Sequence, residues 1–266
     1  MVNILFWNLN KKDLRSDICE IAKSSSSDVV VVIESSVPAA DMLTTFRSEV
    51  SPSFHCPRCT PSRFQLFCRD VSLDLAEIYV SKRVSLRQLS YAGTELILGL
   101  IHGVDKRNWD AENQSSQVSL LANDIRQKEE EFGHSRTILI GDFNLNPFDK
   151  AMNIATGMNA MMTTKCVEPG SRILEGRTHT FFYNPLWNLL GDRTPGPSGT
   201  YYHPNSSSGH YGWNMLDQVL FRPSAIPWFD DVQILTKAGA KPLHTETGRP
   251  DRNRASDHFP ILLTLK

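Results

Sequence analysis

Asp142 and Asn144 lie two residues apart, directly after the strand-forming run 137–140 and a glycine. A buried strand that ends in polar side chains holds them rigidly, while the turn that follows leaves them open to a ligand. Open α/β sheets build their sites at this edge. The same pattern is also typical of an ordinary turn, because Asp and Asn side chains hydrogen-bond their own backbone. The other strand ends of the chain help to choose between these interpretations.

Polar or titratable side chains recur where apolar runs of strand length begin or end. Further strands are predicted over 2–7, 29–33, 95–101, 215–221 and 261–265. The polar residues at or within them are Asn8, Asn10, Glu34, His102, Asp217, Asp257 and His258. Turn and capping residues, or a surface histidine, are the plainer explanation for each one alone. Their repetition at strand ends favours a shared site.

Convergence of these groups on one sheet edge would bring together four carboxylates, three amides and two histidines. The carboxylates would repel one another without a cation, and oxygen ligands favour a hard ion, so we expect Mg²⁺, with Mn²⁺ as the alternative. Such a set suits phosphoryl transfer. Water must lose a proton, and charge on the phosphoryl oxygens must be stabilised. A histidine with a carboxylate partner could accept the proton, and the metal could stabilise the charge.

Apolar residues at helical spacing predict two helices, and a proline indicates the start of a third. The first is predicted to begin at Leu14 with Asp13 as its cap, and Pro147 is expected to open another helix. A long amphipathic helix is predicted over 117–132, with the charge run 128–131 facing solvent.

Three short strands are predicted over 64–69, 73–81 and 84–90, and they suggest an antiparallel meander within a mixed sheet. No repeat or linker divides the chain. We therefore expect one domain over residues 1–266.

The motifs resemble those of the endonuclease/exonuclease/phosphatase superfamily, in order and across the full length of the chain. The matching segments are Asn8-Leu9-Asn10, Glu34, Gly141-Asp142-Phe143-Asn144, Leu216-Asp217 and Ser256-Asp257-His258. Each motif is weak alone, but five in register are specific. The resemblance implies an α/β (α+β) fold of the deoxyribonuclease I type, a four-layered sandwich in which two packed mixed β-sheets are flanked by helices.

The resemblance also implies roles for individual residues. Glu34 would be the main metal ligand, with Asn10 and Asp257 near it. Asp142 and Asn144 would orient the attacking water and the phosphate.

The remaining catalytic candidates are Asn8, which would brace the site, and Asp217, which would hold His258. His102 is a further candidate, at a position where deoxyribonuclease I and the sphingomyelinases carry histidine. The exonuclease III branch carries tyrosine there, although the other motifs are closest to that branch. A Mg-dependent nuclease acting on nucleic acid, as an endonuclease or an exonuclease, is the first expectation.

Two alternatives remain open. One is a phosphatase or phosphodiesterase that acts on phosphoinositides, sphingolipids or small phosphoesters. The other is a catalytically inactive binding module. The complete set of motif residues argues against the second, because neither Glu34 nor His258 has an obvious structural duty.

The net charge of −1 argues against a protein that binds nucleic acid through bulk positive charge. A binding site for a polyanion must therefore be a local cluster of positive charge. Three arginines shortly before Asp257 could form such a site and act as a phosphate clamp. They are Arg249, Arg252 and Arg254. The alternative is a solvated loop whose arginines pair with surface acids such as Asp251.

The aromatic residues Tyr201, Tyr202, Tyr211 and Trp213 occur in a long irregular segment. They could stack on nucleic-acid bases, although covering the core is the commoner use of such residues.

The amino terminus lacks the features of a signal peptide, and no apolar run approaches the length of a membrane span. A cytoplasmic protein without a membrane span is expected, and nothing in the sequence identifies a protein partner. The five cysteines fit a reducing compartment. Cys56 and Cys59 form a single CxxC pair near His55 and Cys68, which is too weak a pattern to predict a structural zinc.

Overall fold

A computed structural model of the chain describes residues 1–70, 72–73, 75–105, 109–207 and 210–266. Its strands are β1 (Val2–Asn8), β2 (Val29–Ile33), β3 (Phe64–Cys68), β4 (Glu77–Val80), β5 (Val84–Tyr91), β6 (Thr94–His102), β7 (Thr137–Asp142), β8 (Ala160–Met161), β9 (Ser171–Leu174), β10 (Arg177–Thr180), β11 (Phe182–Tyr183), β12 (Tyr201–His203), β13 (Gly212–Asn214), β14 (Asp217–Phe221), β15 (Phe229–Ile234), β16 (Lys237–Ala238), β17 (Lys241–Pro242) and β18 (Ile261–Leu265). Its helices are α1 (Arg15–Ser24), α2 (Ala39–Glu49), α3 (Ala111–Glu131), α4 (Lys150–Asn153) and α5 (Thr164–Val167), with 3₁₀ helices at Pro185–Leu189 and Pro223–Trp228. None of the helices within these ranges combines the length and the apolar character that a membrane span requires.

Two mixed sheets form the centre of the molecule. One has five strands in the order β15-β18-β1-β2-β3, and the other has seven in the order β4-β5-β6-β7-β14-β11-β8. The parallel pairs include β1 with β2 and β6 with β7. Because parallel strands end at the same edge of a sheet, the polar residues that follow these strands are collected there.

Hydrophobic side chains fill the space on both faces of each sheet. Phe6 and Val31 of the five-stranded sheet share one core with Leu98 and Ile140 of the seven-stranded sheet, so the two sheets pack face to face. The outer face of the five-stranded sheet packs against α1 and α2, and that of the seven-stranded sheet packs against α3. Helix, sheet, sheet and helix form four layers, and the predicted fold is confirmed.

The three short strands predicted over 64–90 do not form one meander, so that expectation is wrong. β3 pairs antiparallel with β2 in the five-stranded sheet, whereas β4 and β5 pair with each other in the seven-stranded sheet. The chain therefore passes from one sheet to the other after β3. Apolar alternation predicts a strand and its buried face, but it does not identify the strand beside it.

Helix starts also differ from the sequence expectations. α1 begins at Arg15, and no side chain caps it at Leu14. The Asp13 carboxylate accepts hydrogen bonds from the Arg15 guanidinium at 2.6 and 2.9 Å, and from the Arg15 backbone N–H, the first of the helix, at 3.3 Å. Pro147 opens a turn, and α4 begins only at Lys150.

The charge run at the end of α3 is not fully solvated, contrary to the prediction. Glu129 is buried, and its carboxylate accepts from Nε and Nη2 of Arg222 at 2.9 and 3.0 Å. The guanidinium also covers the ring of Phe182, 3.8 Å from the ring centroid. Because Arg222 directly follows β14, the ion pair ties α3 to the seven-stranded sheet.

Glu129→Ala is expected to lower the free energy of unfolding by about 3–5 kcal/mol, because it leaves the Arg222 guanidinium buried without its carboxylate. Urea denaturation followed by circular dichroism measures the change. The matched control is Glu130→Ala, which removes an exposed acid one residue away and should change stability by less than about 0.5 kcal/mol. A small loss for both variants would contradict a structural role for the buried pair.

Candidate active site

A cleft of about 920 Å³ opens where β1, β2, β6 and β7 end. Both sheets contribute to its walls. The predicted site residues that line it are Asn8, Asn10, Glu34, His102, Asp142, Asn144, Asp257 and His258. The structure thus brings together side chains that lie far apart in the sequence.

Neighbouring strands place three of the site residues side by side. His102 is paired with Asp142 across β6 and β7, and Asp142 is paired with Asp217 across β7 and β14. Asp217 is the first residue of β14, whereas the sequence placed it inside the strand, and its side chain is fully buried. Paired residues on adjacent strands point to the same face of a sheet. Two buried carboxylates and a histidine are therefore held close together.

The Asn8 amide joins the two sheets at this edge. Its nitrogen donates to Asp142 Oδ2 at 3.0 Å, and its oxygen accepts from the Asn10 backbone N–H at 3.0 Å. The other Asp142 oxygen accepts from the Asn144 backbone N–H at 2.8 Å. Because both carboxylate oxygens have donors, Asp142 is held in a single orientation.

Four residues of the cleft have left-handed backbone conformations. The φ angles are +47° at Asn10, +57° at Lys11, +51° at Glu34 and +54° at Asn144. Asparagine tolerates this region, whereas for other residues it costs about 1–2 kcal/mol. The turn at Glu34 is held by the Lys11 N–H, which donates to the Glu34 carbonyl at 2.7 Å. Backbone strain of this kind clusters at functional sites, so the conformation of Glu34 supports a functional role.

Asp217 and His258 form a buried pair, with 2.8 Å between Asp217 Oδ2 and His258 Nδ1. Burial lowers the pKa of His258, but the nearby carboxylates, chiefly that of Asp217, outweigh this effect and raise the pKa to about 10. The imidazole is therefore a cation at neutral pH. The Trp7 indole N–H donates to the His258 carbonyl at 2.8 Å and fixes the backbone beneath the ring.

Asp142 has an unusually basic carboxylate. Burial raises its pKa to about 6, although the positive charge of His258 opposes the increase. Asp142 is consequently ionised at neutral pH and is a stronger base than an exposed carboxylate.

Glu34 presents an ionised carboxylate to the cleft, with 30% of its side chain exposed. The hydrogen bond from His102 lowers the pKa of Glu34 and outweighs the opposing effect of burial. The distance from His102 Nε2 to Glu34 Oε1 is 3.4 Å. His102 therefore helps to orient this carboxylate.

The cleft fits a hard divalent cation. Glu34, Asn10 and Asp257 line the cleft, and their side chains carry oxygen donors, which is the ligand type that magnesium prefers. A second group, formed by Asp142, Asp217 and His258, has ligand atoms within 4.8 Å of one another. These three side chains are buried, and Nδ1 of His258 is already in contact with Asp217, so the more open site at Glu34 is the better candidate.

The three arginines predicted as a phosphate clamp are not among the described residues that line the cleft. Arg252 Nη2 lies 3.8 Å from Asp257 Oδ2, Arg249 covers the ring of Tyr202 at 3.9 Å, and Arg254 is exposed. Their role as a clamp stays a prediction. Arg252 is the best placed of the three because Asp257 lines the cleft.

The lysine and arginine side chains that line the described cleft are Lys11, Arg63 and Arg83. Sequence reasoning did not identify them as site residues. Arg63 directly precedes β3 and Arg83 directly precedes β5. A basic residue before a strand is an unremarkable pattern, and only the neighbours of those strands bring these side chains to the cleft.

The β12–β13 hairpin places its aromatic residues both at the cleft and over the core. The Tyr201 ring lines the cleft and lies 4.9 Å from the His258 ring. Trp213 stacks on Phe259 with 6.4 Å between ring centroids and covers the core. Tyr211 is 54% exposed, and stacking on bases stays a prediction.

The cysteines of the CxxC segment, Cys56 and Cys59, are exposed. Cys68 is buried, its thiol donates to the Asp70 carbonyl at 3.1 Å, and burial raises its pKa to about 11. A thiol that stays protonated is a poor metal ligand. The expected absence of a structural zinc stays a prediction.

No protein-family model matches the sequence, and a search of curated proteins found no match. Solved structures match across almost the whole chain. D. rerio TDP2 in complex with a single-strand DNA product is 16% identical, with a TM-score of 0.60 and coverage of 100% of this chain and 98% of that chain. The 3′ phosphatase NExo from Neisseria, bound to a product DNA hairpin, is 15% identical, with a TM-score of 0.57 and 100% coverage of both chains.

A third match is an endonuclease/exonuclease/phosphatase family protein from Bacteroides thetaiotaomicron. It is 12% identical, with a TM-score of 0.57 and coverage of 99% of this chain and 97% of that chain. These similarities show that the chain has the same fold as these proteins. The resemblance inferred from the motifs is confirmed at the level of the fold.

Proposed function

We propose that the protein is a metal-dependent phosphodiesterase that hydrolyses phosphodiester bonds of nucleic acids by in-line attack of water. The proposal is carried by two hydrogen-bonded pairs, which present Asn8, Asp142 and His258 to one open cleft beside the ionised Glu34. They are Asn8 with Asp142, and Asp217 with His258. Similar structures that hold a DNA product support nucleic acid as the substrate class.

In the proposed mechanism Asp142 orients the attacking water and accepts its proton. Its pKa of about 6 leaves it ionised at neutral pH and makes it an effective base. The sequence interpretation assigned this proton transfer to a histidine. The raised pKa of His258 supports Asp142 as the proton acceptor instead, because a protonated imidazole cannot accept a further proton.

His258 then acts as a cation that stabilises the charge developing on the phosphoryl oxygens, and Asp217 holds the ring in position. Asn144 orients the phosphate. A divalent cation held by Glu34, with Asn10 and Asp257 near it, would supply further positive charge for the phosphoryl and leaving oxygens.

Phosphomonoester hydrolysis at a nucleic-acid end is the second candidate, because the similar NExo structure is a 3′ phosphatase. The same cleft chemistry serves both reactions. The two differ in the phosphate that is attacked, which is a diester within the chain in the first reaction and a terminal monoester in the second, while a sugar oxygen leaves in both.

The decisive experiment incubates the purified protein with Mg²⁺ or Mn²⁺ and labelled single-stranded DNA, duplex DNA, RNA, 3′-phosphorylated oligonucleotides and a phosphoinositide panel. We expect cleavage of a nucleic acid that stops when a chelator is added. Turnover of phosphoinositides alone would replace the proposal with a lipid phosphatase. Binding of nucleic acid without hydrolysis of any substrate would indicate an inactive binding module.

The pH dependence of kcat/KM is expected to be bell-shaped. Activity should rise with pH through about 6 as Asp142 loses its proton, and it should fall near 10 as His258 loses its own. Asp217→Asn removes the main cause of the raised His258 pKa, so it should move the alkaline limb to lower pH by more than it moves the acid limb. Initial rates on bis(p-nitrophenyl) phosphate measure both limbs. If the alkaline limb does not move in this variant, His258 is not the cation that the proposed mechanism requires.

A further inference from the structure

Arg63 lies beside Glu34 because of the strand register in the five-stranded sheet. Phe64, the first residue of β3, is paired with Ile33, the last residue of β2. Arg63 directly precedes Phe64 and Glu34 directly follows Ile33, so Arg63 and Glu34 are the next two residues to face each other beyond this pair. Neighbouring strands are about 4.8 Å apart, so Arg63 extends the cleft wall by one strand beyond Glu34. Its side chain is exposed and lines the cleft.

Arg83 has the same relation to His102 in the seven-stranded sheet. The His102 backbone N–H donates to the Arg83 carbonyl at 3.0 Å, which places Arg83, just before β5, opposite the last residue of β6. The Arg83 guanidinium is partly buried and donates from Nη1 to the Gly103 carbonyl at 2.8 Å. The cation is thereby fixed at the cleft wall.

The two guanidinium groups form a local positive charge. Burial lowers the pKa of Arg83, and the positive charge of Arg63 lowers it further. Asp105 also lines the cleft and opposes these effects, but it does not reverse the net direction. Two arginines that line the same cleft, one from the side of each sheet, attract an anion, and their planar forks match the oxygens of phosphate.

We propose that Arg63 and Arg83 together bind a second phosphate of the substrate, adjacent to the phosphate that is hydrolysed beside Glu34 and Asp142. This inference rests on the proposed function and narrows it. A strand with at least two phosphates gains a contact that an ester with one phosphate lacks. The pair also shows how a protein with a net charge of −1 can hold a polyanion, because the positive charge is concentrated at the site.

The test compares two substrates in the double variant Arg63→Gln/Arg83→Gln. With a labelled single-stranded oligonucleotide, kcat/KM should fall on the order of 10²-fold, mainly through KM, because charge-assisted hydrogen bonds are lost. With bis(p-nitrophenyl) phosphate, which has one phosphate, kcat/KM should stay within about 3-fold of the wild-type value. The matched control Arg177→Gln/Arg193→Gln removes the same charge from two exposed positions and should leave both activities unchanged.

Affinity for the oligonucleotide is also measured in chelator by fluorescence anisotropy across a salt series. The slope of log Kd against log salt should decrease by about 0.7, as expected for one lost phosphate contact on a single strand. Wild-type affinity and slope in the variant would overturn the proposal, as would an equal loss with the single-phosphate substrate. A wild-type protein that shows the arginine-dependent binding but hydrolyses neither substrate would refute the proposed function while supporting the second phosphate site.

Discussion

Replacing Glu34 with Gln is expected to lower kcat by at least about 10³-fold, because a metal at the reacting phosphate is worth several kcal/mol. The variant keeps the size of the side chain but removes the ionised carboxylate that faces the cleft. Isothermal titration with Mn²⁺ should show weakened metal binding, which provides a readout that does not depend on turnover. Unchanged hydrolysis by the variant, or by the wild-type protein in excess chelator, would refute this role.

The fold of the Glu34 variants is tested separately. Glu34 follows the buried strand β2 and has a φ angle of +51°, so removing its side chain should leave the core intact. Glu34→Gly should be more stable than Glu34→Ala by about 1 kcal/mol, because glycine adopts the left-handed conformation without strain. Both variants should be inactive. Loss of folding in Glu34→Ala would instead assign the residue a structural role.

Asp217→Asn and His258→Gln are each expected to lower kcat on the order of 10²-fold or more, as for groups that act directly on charge in the transition state. Asp217 keeps the His258 imidazole charged and fixes the ring through the 2.8 Å contact at Nδ1. Removing the acid should therefore cost much of what removing the histidine costs. The double variant should be little worse than the more damaging single variant.

A double-mutant cycle on kcat measures this coupling. Urea denaturation of the same variants serves as the control, since Asp217 is fully buried and its loss also affects stability. Fully additive losses in kcat would show that Asp217 and His258 act independently. If the denaturation data show that a variant is largely unfolded, its loss of kcat does not count as evidence for coupling.

The sequence by itself determined many of the local elements and the identity of eight of the residues that line the cleft. The strands 29–33 and 261–265 were predicted with their observed bounds, because short runs made mostly of apolar residues are typical of strands buried in the core. Glu34, Asp142 and Asn144 were identified because polar residues at strand ends are a short-range signal. The family resemblance added the order of the motifs, and with it the four-layered fold.

Only the tertiary structure decided which distant residues meet. Asn8 bonds to Asp142 across 134 positions of the chain, and Arg222 bonds to Glu129 across 93. Neither contact is encoded in local spacing, so the burial of Glu129 could not be predicted from its charged neighbours.

The same limitation applies to the basic residues and to protonation. Arg63 and Arg83 reach the cleft because β3 lies beside β2 and β5 lies beside β6, whereas the more conspicuous cluster of arginines near Asp257 does not line it. The charged state of His258 depends on burial and on carboxylates from other strands. Sequence patterns describe a residue and its near neighbours, but electrostatics and strand adjacency are set by contacts between segments that only the folded chain brings together.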